Sequence, residues 1–303
     1  MKIAIHGLGR MGMQIAHKLV DDHHQVIAYN RSVDKILEAV EFGAIKAETK
    51  EQVIAAFEAE TPVIWLMLPA DIVDQQVDQW FELLPKNSII IDGGNSNFKL
   101  TRVLNQRVEE KGLKLVDVGV SGGIWGYENG FSMMAGADNS LDFEVIEPAL
   151  KSLAFPEGAY AYFGPSGSGH FVKMVHNAIE YGMMESLAEG YRILKEGPYQ
   201  SINLAAAGDV WQHHSVVTSW LNELCRDSLK ENPELEGIDG YVAENGEARW
   251  TLEAAKDSAI PMPAIQAALE VRIASQQGQI SFATKLLSAM RNQFGGHAFN
   301  KND

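Results

Sequence analysis

The sequence predicts an α/β, Rossmann-type doubly wound N-terminal domain followed by an all-α domain built on one long central helix, and three observations predict it. Between residue 2 and about residue 163, short apolar runs rich in β-branched side chains alternate with helical stretches, the pattern of a parallel sheet covered on both faces. A glycine loop, Gly7-Leu8-Gly9-Arg10-Met11-Gly12, joins the first of those runs to the first helical stretch. Beyond Phe163 no period-2 run appears and the pattern is helical to the end.

Taken in order, the strands are expected at 2–6, 25–29, 44–47, 62–68, 88–92, 114–118, 131–135 and 159–163, where short runs rich in apolar residues have the length of a doubly covered strand. Helices fill the intervals, among them 11–22, 32–42 and 71–83. The turn-rich Gly164-Pro165-Ser166-Gly167-Ser168-Gly169 then closes the first domain, assigned to 1–165, and opens the second, assigned to 166–303. A helix at 170–196 is stopped by Gly197-Pro198, and shorter ones follow at 201–207, 216–231, 247–257, 264–276 and 282–291.

Bulk properties bound the function. A chain of 303 residues suits two domains, and its net charge of −15, from 25 Lys and Arg against 40 Asp and Glu, repels polyanions and argues against nucleic acid. Any anionic ligand must therefore be held by local cations. One cysteine, Cys225, excludes an internal disulfide and a thiolate-rich zinc site and fits a reducing, cytoplasmic compartment. The N-terminus lacks the roughly 7 to 15 residue apolar stretch of a signal peptide, and no run approaches the ~20 apolar residues of a membrane span. The pairs His23-His24 and His213-His214 lack metal-ligand spacing with a carboxylate and read as surface or helix-end residues, so no metal is expected.

The glycine loop carries the first chemistry. In it Gly7 allows the tight turn, Gly9 admits a pyrophosphate to the backbone, Gly12 lets helix and strand pack closely, and the helix start with Leu8, Arg10 and Met11 faces the phosphates. The second strand ends at Tyr29, seventeen residues after Gly12, and is followed by Asn30-Arg31-Ser32. No acidic residue waits there for a ribose 2′-hydroxyl, whereas an amide, a guanidinium and a hydroxyl suit a 2′-phosphate. NADP is therefore the expected cofactor, with NAD possible.

Two clusters follow strands at the end where such domains present ligands: Ile91-Asp92-Gly93-Gly94-Asn95-Ser96 and Asp117-Val118-Gly119-Val120-Ser121-Gly122-Gly123. Their small residues, hydroxyls and amides could meet a hydroxylated acid. A third cluster lies on the long helix, where Lys173, His176, Asn177 and Glu180 fall at i, i+3, i+4 and i+7 and share one face. The flanking Phe171, Val172, Met174, Val175, Ala178 and Ile179 are apolar, so the stripe is expected on an otherwise buried helix, where a Lys and a Glu are costly unless used or paired.

The segments GLGRMG, NRS, MLPA (67–70), IDGGNSNF (91–98), VDVGVSGGIWG (116–126), GPSGSGHFVKMVHNAIEY (164–181) and RNQFGGHAF (291–299) span nearly the whole chain. In that order they resemble the decarboxylating 6-phosphogluconate dehydrogenases. The resemblance implies oxidative decarboxylation of 6-phospho-D-gluconate to ribulose 5-phosphate and CO2, with Lys173 as general base and Glu180 as general acid. It places Leu68, Pro69 and Asn95 with the glycine loop at the cofactor, and Asn95, Ser121, Gly122, Gly123, His176, Asn177 and Tyr181 at the sugar acid. Arg249 and Arg272 match positions that contact the substrate phosphate. Arg291 and His297 match residues supplied by a neighbouring subunit, so a homodimer or homotetramer with shared active sites is implied, in pentose phosphate or gluconate metabolism. In the implied chemistry, neutral Lys173 takes the 3-hydroxyl proton as hydride leaves carbon 3, the β-keto acid loses CO2, and Glu180 protonates carbon 1 of the enediol. A base of this kind must titrate well below the ordinary ~10.4 of lysine, through burial beside other cations. The rivals are a non-decarboxylating β-hydroxyacid dehydrogenase, which lacks the acid and the C-terminal clamp, a dehydrogenase of another 6-substituted gluconate, and a dinucleotide sensor without turnover.

Overall fold

The computed structural model describes residues 1–199 and 201–296. The chain divides into two compact units, Met1–Met174 and Val175–Asp303.

The first unit holds eight strands: β1 (Lys2–His6), β2 (Gln25–Tyr29), β3 (Ile45–Ala47), β4 (Val63–Leu66), β5 (Ile89–Asp92), β6 (Lys114–Ser121), β7 (Ser132–Gly136) and β8 (Tyr160–Tyr162). They form one sheet in the order β3-β2-β1-β4-β5-β6-β7-β8. All pairs are parallel except β6 with β7. The exception changes one boundary: β6 was expected to stop at 118, but antiparallel pairing of Asp117–Ser121 with Ser132–Gly136 carries it three residues further. Gly119, Val120 and Ser121 thus belong to the strand rather than to the loop after it.

Between the strands run α1 (Arg10–Asp21), α2 (Val33–Glu41), α3 (Lys50–Phe57), α4 (Ala70–Phe81), α5 (Phe98–Glu110), the single turn α6 (Gly126–Asn129) and α7 (Ser140–Ala154). Alternation along the strands builds two cores. Ile3, Ile5, Trp65, Ile89, Ile91, Val116 and Val118 face one way, onto Ile15 and Leu19 of α1 and Ile146, Leu150 and Leu153 of α7. Ala4, Ile64, Leu66, Ile90 and Leu115 face the other way, onto Val53 and Phe57 of α3, Val77 and Trp80 of α4 and Leu104 and Val108 of α5. Each fully buried large side chain contributes about 1.5 to 3 kcal/mol, so a one-residue slip in any central strand would exchange the two sets and is strongly resisted.

α8 (Ser168–Glu196) begins in the first unit and ends in the second, which adds α9 (Leu204–Gln212), α10 (Trp220–Glu231), α11 (Glu247–Asp257), α12 (Pro263–Gln276) and α13 (Phe282–Gly295). Met184, Ala188 and Tyr191 of α8 pack with Leu224 and Cys225 of α10 and Leu286, Leu287 and Met290 of α13. One turn pair earlier, Ala178 and Tyr181 pack with Ala248 of α11 and Ile265, Ala268 and Leu269 of α12. Several helix starts lie later than the periodicity placed them because side-chain caps fix them: Asn203 accepts from Ala206 N at 3.0 Å before α9, and Ser219 from Asn222 N at 3.1 Å before α10. No helix among the described residues is long and apolar enough to cross a membrane. No cluster of His, Cys, Asp and Glu among them could hold a metal ion.

Candidate active site

In the first unit the three ligand-facing loops meet at the carboxyl ends of β1, β4 and β5, where the strand order reverses between β1 and β4. The glycines measure how close they come. An added Cβ on Gly7, whose φ is +108°, would lie 2.4 Å from the Met67 carbonyl oxygen, and one on Gly12 would lie 1.9 Å from the Gly7 oxygen. One on Gly94 would lie 2.8 Å from the Leu68 oxygen. Gly9 differs: its φ is −71° and nothing lies within 4 Å of the added atom. The chain itself therefore requires glycine at 7 and 12 but not at 9, and the open space above Gly9, at the start of α1, fits a pyrophosphate against the backbone. Gly9 caps α1 with no side-chain hydrogen bond.

Asn30 faces the loop rather than outward. Its Oδ1 accepts from Leu8 N at 3.1 Å and its Nδ2 donates to Ser32 O at 3.3 Å, so it shapes the glycine turn, while Arg31 and Ser32 are exposed beside it. Leu68 and Pro69 open α4. Asn95 is exposed on a loop held from behind by buried Asp92, whose carboxylate accepts from Gly94 N at 3.1 Å and Ser96 Oγ at 2.8 Å.

Ser121 ends β6, and Gly122 and Gly123 follow with φ of +137° and +56°, conformations that side chains other than glycine rarely adopt. Lys173 is buried on the second turn of α8 directly over β6: an added Cβ on Gly119 would lie 2.3 Å from Lys173 Cβ. Burial also raises the pKa of Asp117, despite the opposing pull of His170 and of two backbone amides.

In the second unit, a chain of hydrogen bonds runs through the other expected residues. His176 Nδ1 donates to Asn177 Oδ1 at 2.8 Å, and Asn177 and Asn245 both donate to the buried carboxylate of Glu247. Tyr181 donates its hydroxyl proton to Asn245 Oδ1 at 2.9 Å. Over the Tyr181 ring lies the guanidinium of Arg272, 3.2 Å from the centroid. Arg272 is 1 % exposed and its pKa is brought down to about 10, by burial first and by Arg291 among its neighbours. Arg291 is buried as well and is likewise lowered by burial. Among the described residues neither guanidinium has a carboxylate within salt-bridge distance, so the pair is suited to an incoming dianion.

Several expectations change here. Arg249 is exposed and paired with Glu244 at 2.5 Å, whereas Arg272 is buried. The resemblance assigns Arg291 to a neighbouring subunit, yet in this chain it lies within electrostatic reach of Arg272 and Tyr181. Phe171 and Ile179, expected to be buried, are 38 % and 51 % exposed, because α8 packs its Ala178–Tyr181 side, not its whole circumference. His297 lies outside the described residues. Sequence reasoning passed over Asp92, Asp117, Asn245 and Glu247 as organisers of the site. For the two aspartates a signal existed: an acid closing or entering an otherwise apolar strand, in Ile89–Asp92 and in Leu115-Val116-Asp117, must find buried partners.

Two family models match successive stretches of the chain. Residues 2–164 match the NAD binding domain of 6-phosphogluconate dehydrogenase, and residues 169–283 match the C-terminal domain of 6-phosphogluconate dehydrogenase. A decarboxylating, NAD(+)-dependent 6-phosphogluconate dehydrogenase of Haloferax volcanii is 33 % identical over the whole of both chains. A decarboxylating 6-phosphogluconate dehydrogenase of Synechococcus elongatus is 34 % identical over 93 % of this chain, which spans 63 % of that longer relative. Among solved structures, 6-phosphogluconate dehydrogenase of Plasmodium falciparum superposes with a TM-score of 0.82 at 25 % identity, covering 100 % of this chain and 67 % of that one.

Proposed function

Because the chain belongs to the 6-phosphogluconate dehydrogenase family and is thereby an NAD(P)-dependent oxidoreductase acting on a CH–OH group, we propose that it oxidises and decarboxylates 6-phospho-D-gluconate to ribulose 5-phosphate and CO2. The observation that carries this reading is the buried pair Arg272 and Arg291 against Tyr181: two desolvated guanidiniums that, among the described residues, have no carboxylate within salt-bridge distance favour a phosphorylated substrate over a bare hydroxy acid.

A bound nicotinamide dinucleotide supplies the hydride acceptor; every other step falls to the chain's own groups. Lys173 acts as the neutral amine that takes the 3-hydroxyl proton. The β-keto acid so formed loses CO2 without a metal, with the ammonium of Lys173 and the carbonyl as electron sink. Glu180, seven residues on along α8 and two turns up the same helix face, delivers the proton to carbon 1 of the enediol. In this reading the residues that hold the sugar acid are Asn95, Ser121, Gly122, Gly123, His176, Asn177, Tyr181 and Arg249, with His297. Arg31 and Ser32 select NADP over NAD, because both are exposed after β2 where no acidic residue stands. The enzyme works in the cytoplasm as a homodimer or homotetramer, supported by the exposed Ile179, Met183 and Ile193 along α8.

The test is a paired assay of CO2 and reduced cofactor from 6-phosphogluconate, with NADP and NAD compared. Equal release of both products is expected. Reduction without CO2 would select a non-decarboxylating hydroxyacid dehydrogenase instead.

A further inference from the structure

We infer that Asp117 and Gly119 of β6 are positioning residues that together seat Lys173, the first by holding the turn that opens α8 and the second by leaving room for the lysine stem. This rests on the reading of Lys173 as the general base.

Asp117 is fully buried, and both of its carboxylate oxygens are used on one turn: Oδ1 accepts from Gly167 N at 2.6 Å and Oδ2 from His170 N at 2.8 Å. Those amides open α8 and have no partner within their own helix. A buried carboxylate is costly unless such donors meet it, so the bond pair fixes the helix start in translation along β6. The backbones also touch. An added Cβ on Gly169 would lie 2.4 Å from the Met134 oxygen, and one on Gly136 would lie 2.7 Å from Ser168 Oγ. The His170 ring ties the same turn to a third element, with Nδ1 2.8 Å from Thr101 Oγ1 and Nε2 3.1 Å from the Asp92 carbonyl oxygen. Asp92 in turn orders the loop that carries Asn95. One turn of helix is therefore held against β6, β7 and α5, and Lys173 follows three residues after His170.

Gly119 adds the second constraint. It sits mid-strand between Val118 and Val120, where a β-branched residue is preferred, and its backbone has no positive φ that would call for glycine. An added Cβ would fall 2.3 Å from Lys173 Cβ and 2.7 Å from its Cγ. Glycine at this position is thus explained by the lysine that crosses it. Because Asp117 and Gly119 are two apart in one strand, they point to the same face, and the anchor and the gap act on one helix. A misplacement of about 1 Å in a reacting group costs on the order of 100-fold in rate.

The experiment compares wild type, Gly119→Ala and Asp117→Asn by steady-state kinetics over pH, by cofactor titration, and by competitive acetylation of Lys173 read by mass spectrometry without substrate. Both variants should lose on the order of 100-fold in kcat, with KM for the cofactor within twofold and with a displaced pH profile of kcat and of Lys173 acetylation. Asp117→Asn, nearly isosteric, carries the test if Gly119→Ala does not fold. A purely structural role would lower the melting temperature and leave both pH profiles unmoved, and that result overturns the inference. If wild type releases no CO2 from 6-phosphogluconate, the functional reading fails by itself, while the acetylation profiles still decide whether β6 seats the lysine.

Discussion

Glu185 on α8 offers a stability measurement with a defined sign. Its side chain is 7 % exposed, one carboxylate oxygen is buried with no hydrogen-bond partner, and its pKa is pushed up from 4.5 to about 7. Burial is the main cause and Glu189 adds to it, while Arg272 opposes both. A carboxyl whose folded pKa exceeds its unfolded one favours folding only while protonated. Its contribution is complete below pH 4.5 and is lost as pH rises to 7. At ~1.36 kcal/mol per tenfold change in proton affinity, the ionised group costs about 3 kcal/mol at pH 8.5 and under about 1 kcal/mol at pH 5. Glu185→Gln keeps the shape and removes the charge. With roughly 2 to 4 °C per kcal/mol for a chain of this size, melts followed by circular dichroism should show the variant stabilised by several degrees at pH 8.5, and by about a third of that or less at pH 5. An equal gain at both pH values, or none at pH 8.5, refutes the reasoning, because it would mean the carboxylate is solvated or paired when ionised.

Other outcomes follow from the same geometry. Gly9→Ala should leave the melting temperature unchanged and weaken cofactor binding by roughly tenfold or more, about 1.4 kcal/mol or above; Gly12→Ala should destabilise the chain by about 1 to 3 kcal/mol, since its new atom meets a backbone oxygen. Calorimetry and thermal melts separate the two. Arg31→Ala should weaken NADP binding roughly 10- to 100-fold through loss of charged hydrogen bonds and leave NAD within a factor of two, as fluorescence titration would reveal; equal losses for both would remove the guanidinium from the 2′-phosphate. Arg272→Lys gives up both the planar fork and the ring stacking over Tyr181, so kcat/KM for 6-phosphogluconate should fall by roughly two orders of magnitude. Turnover of unphosphorylated gluconate should change far less, and a matched fall in both would place Arg272 outside phosphate recognition.

Much of this was legible in the sequence because the signals were local. Short, mostly apolar runs of strand length marked all eight strands, and the predicted helix 247–257 coincides with α11 (Glu247–Asp257). The cofactor loop was legible for the same reason, since strand, glycines and helix are contiguous. What escaped depended on contacts distant in sequence. The extension of β6 to Ser121 is decided by pairing with β7, and the inward turn of Asn30 by Leu8 N, twenty-two residues away. The network at Tyr181 needs Asn245 and Glu247, more than sixty residues on, and no spacing rule announces them. The partner of Arg249 was not legible either: Glu244 lies five residues earlier, outside the helix that carries the arginine.

The contrast among the three glycines of the first loop bears on how such chains diverge. Positions 7 and 12 answer to the backbone that surrounds them, whereas position 9 answers to something outside the polypeptide. A descendant that kept this architecture but abandoned dinucleotides would be released from constraint at the middle glycine alone. Substitution confined to that one site would be the earliest mark of a lost ligand, appearing while the sheet, the turn and the first helix were still intact.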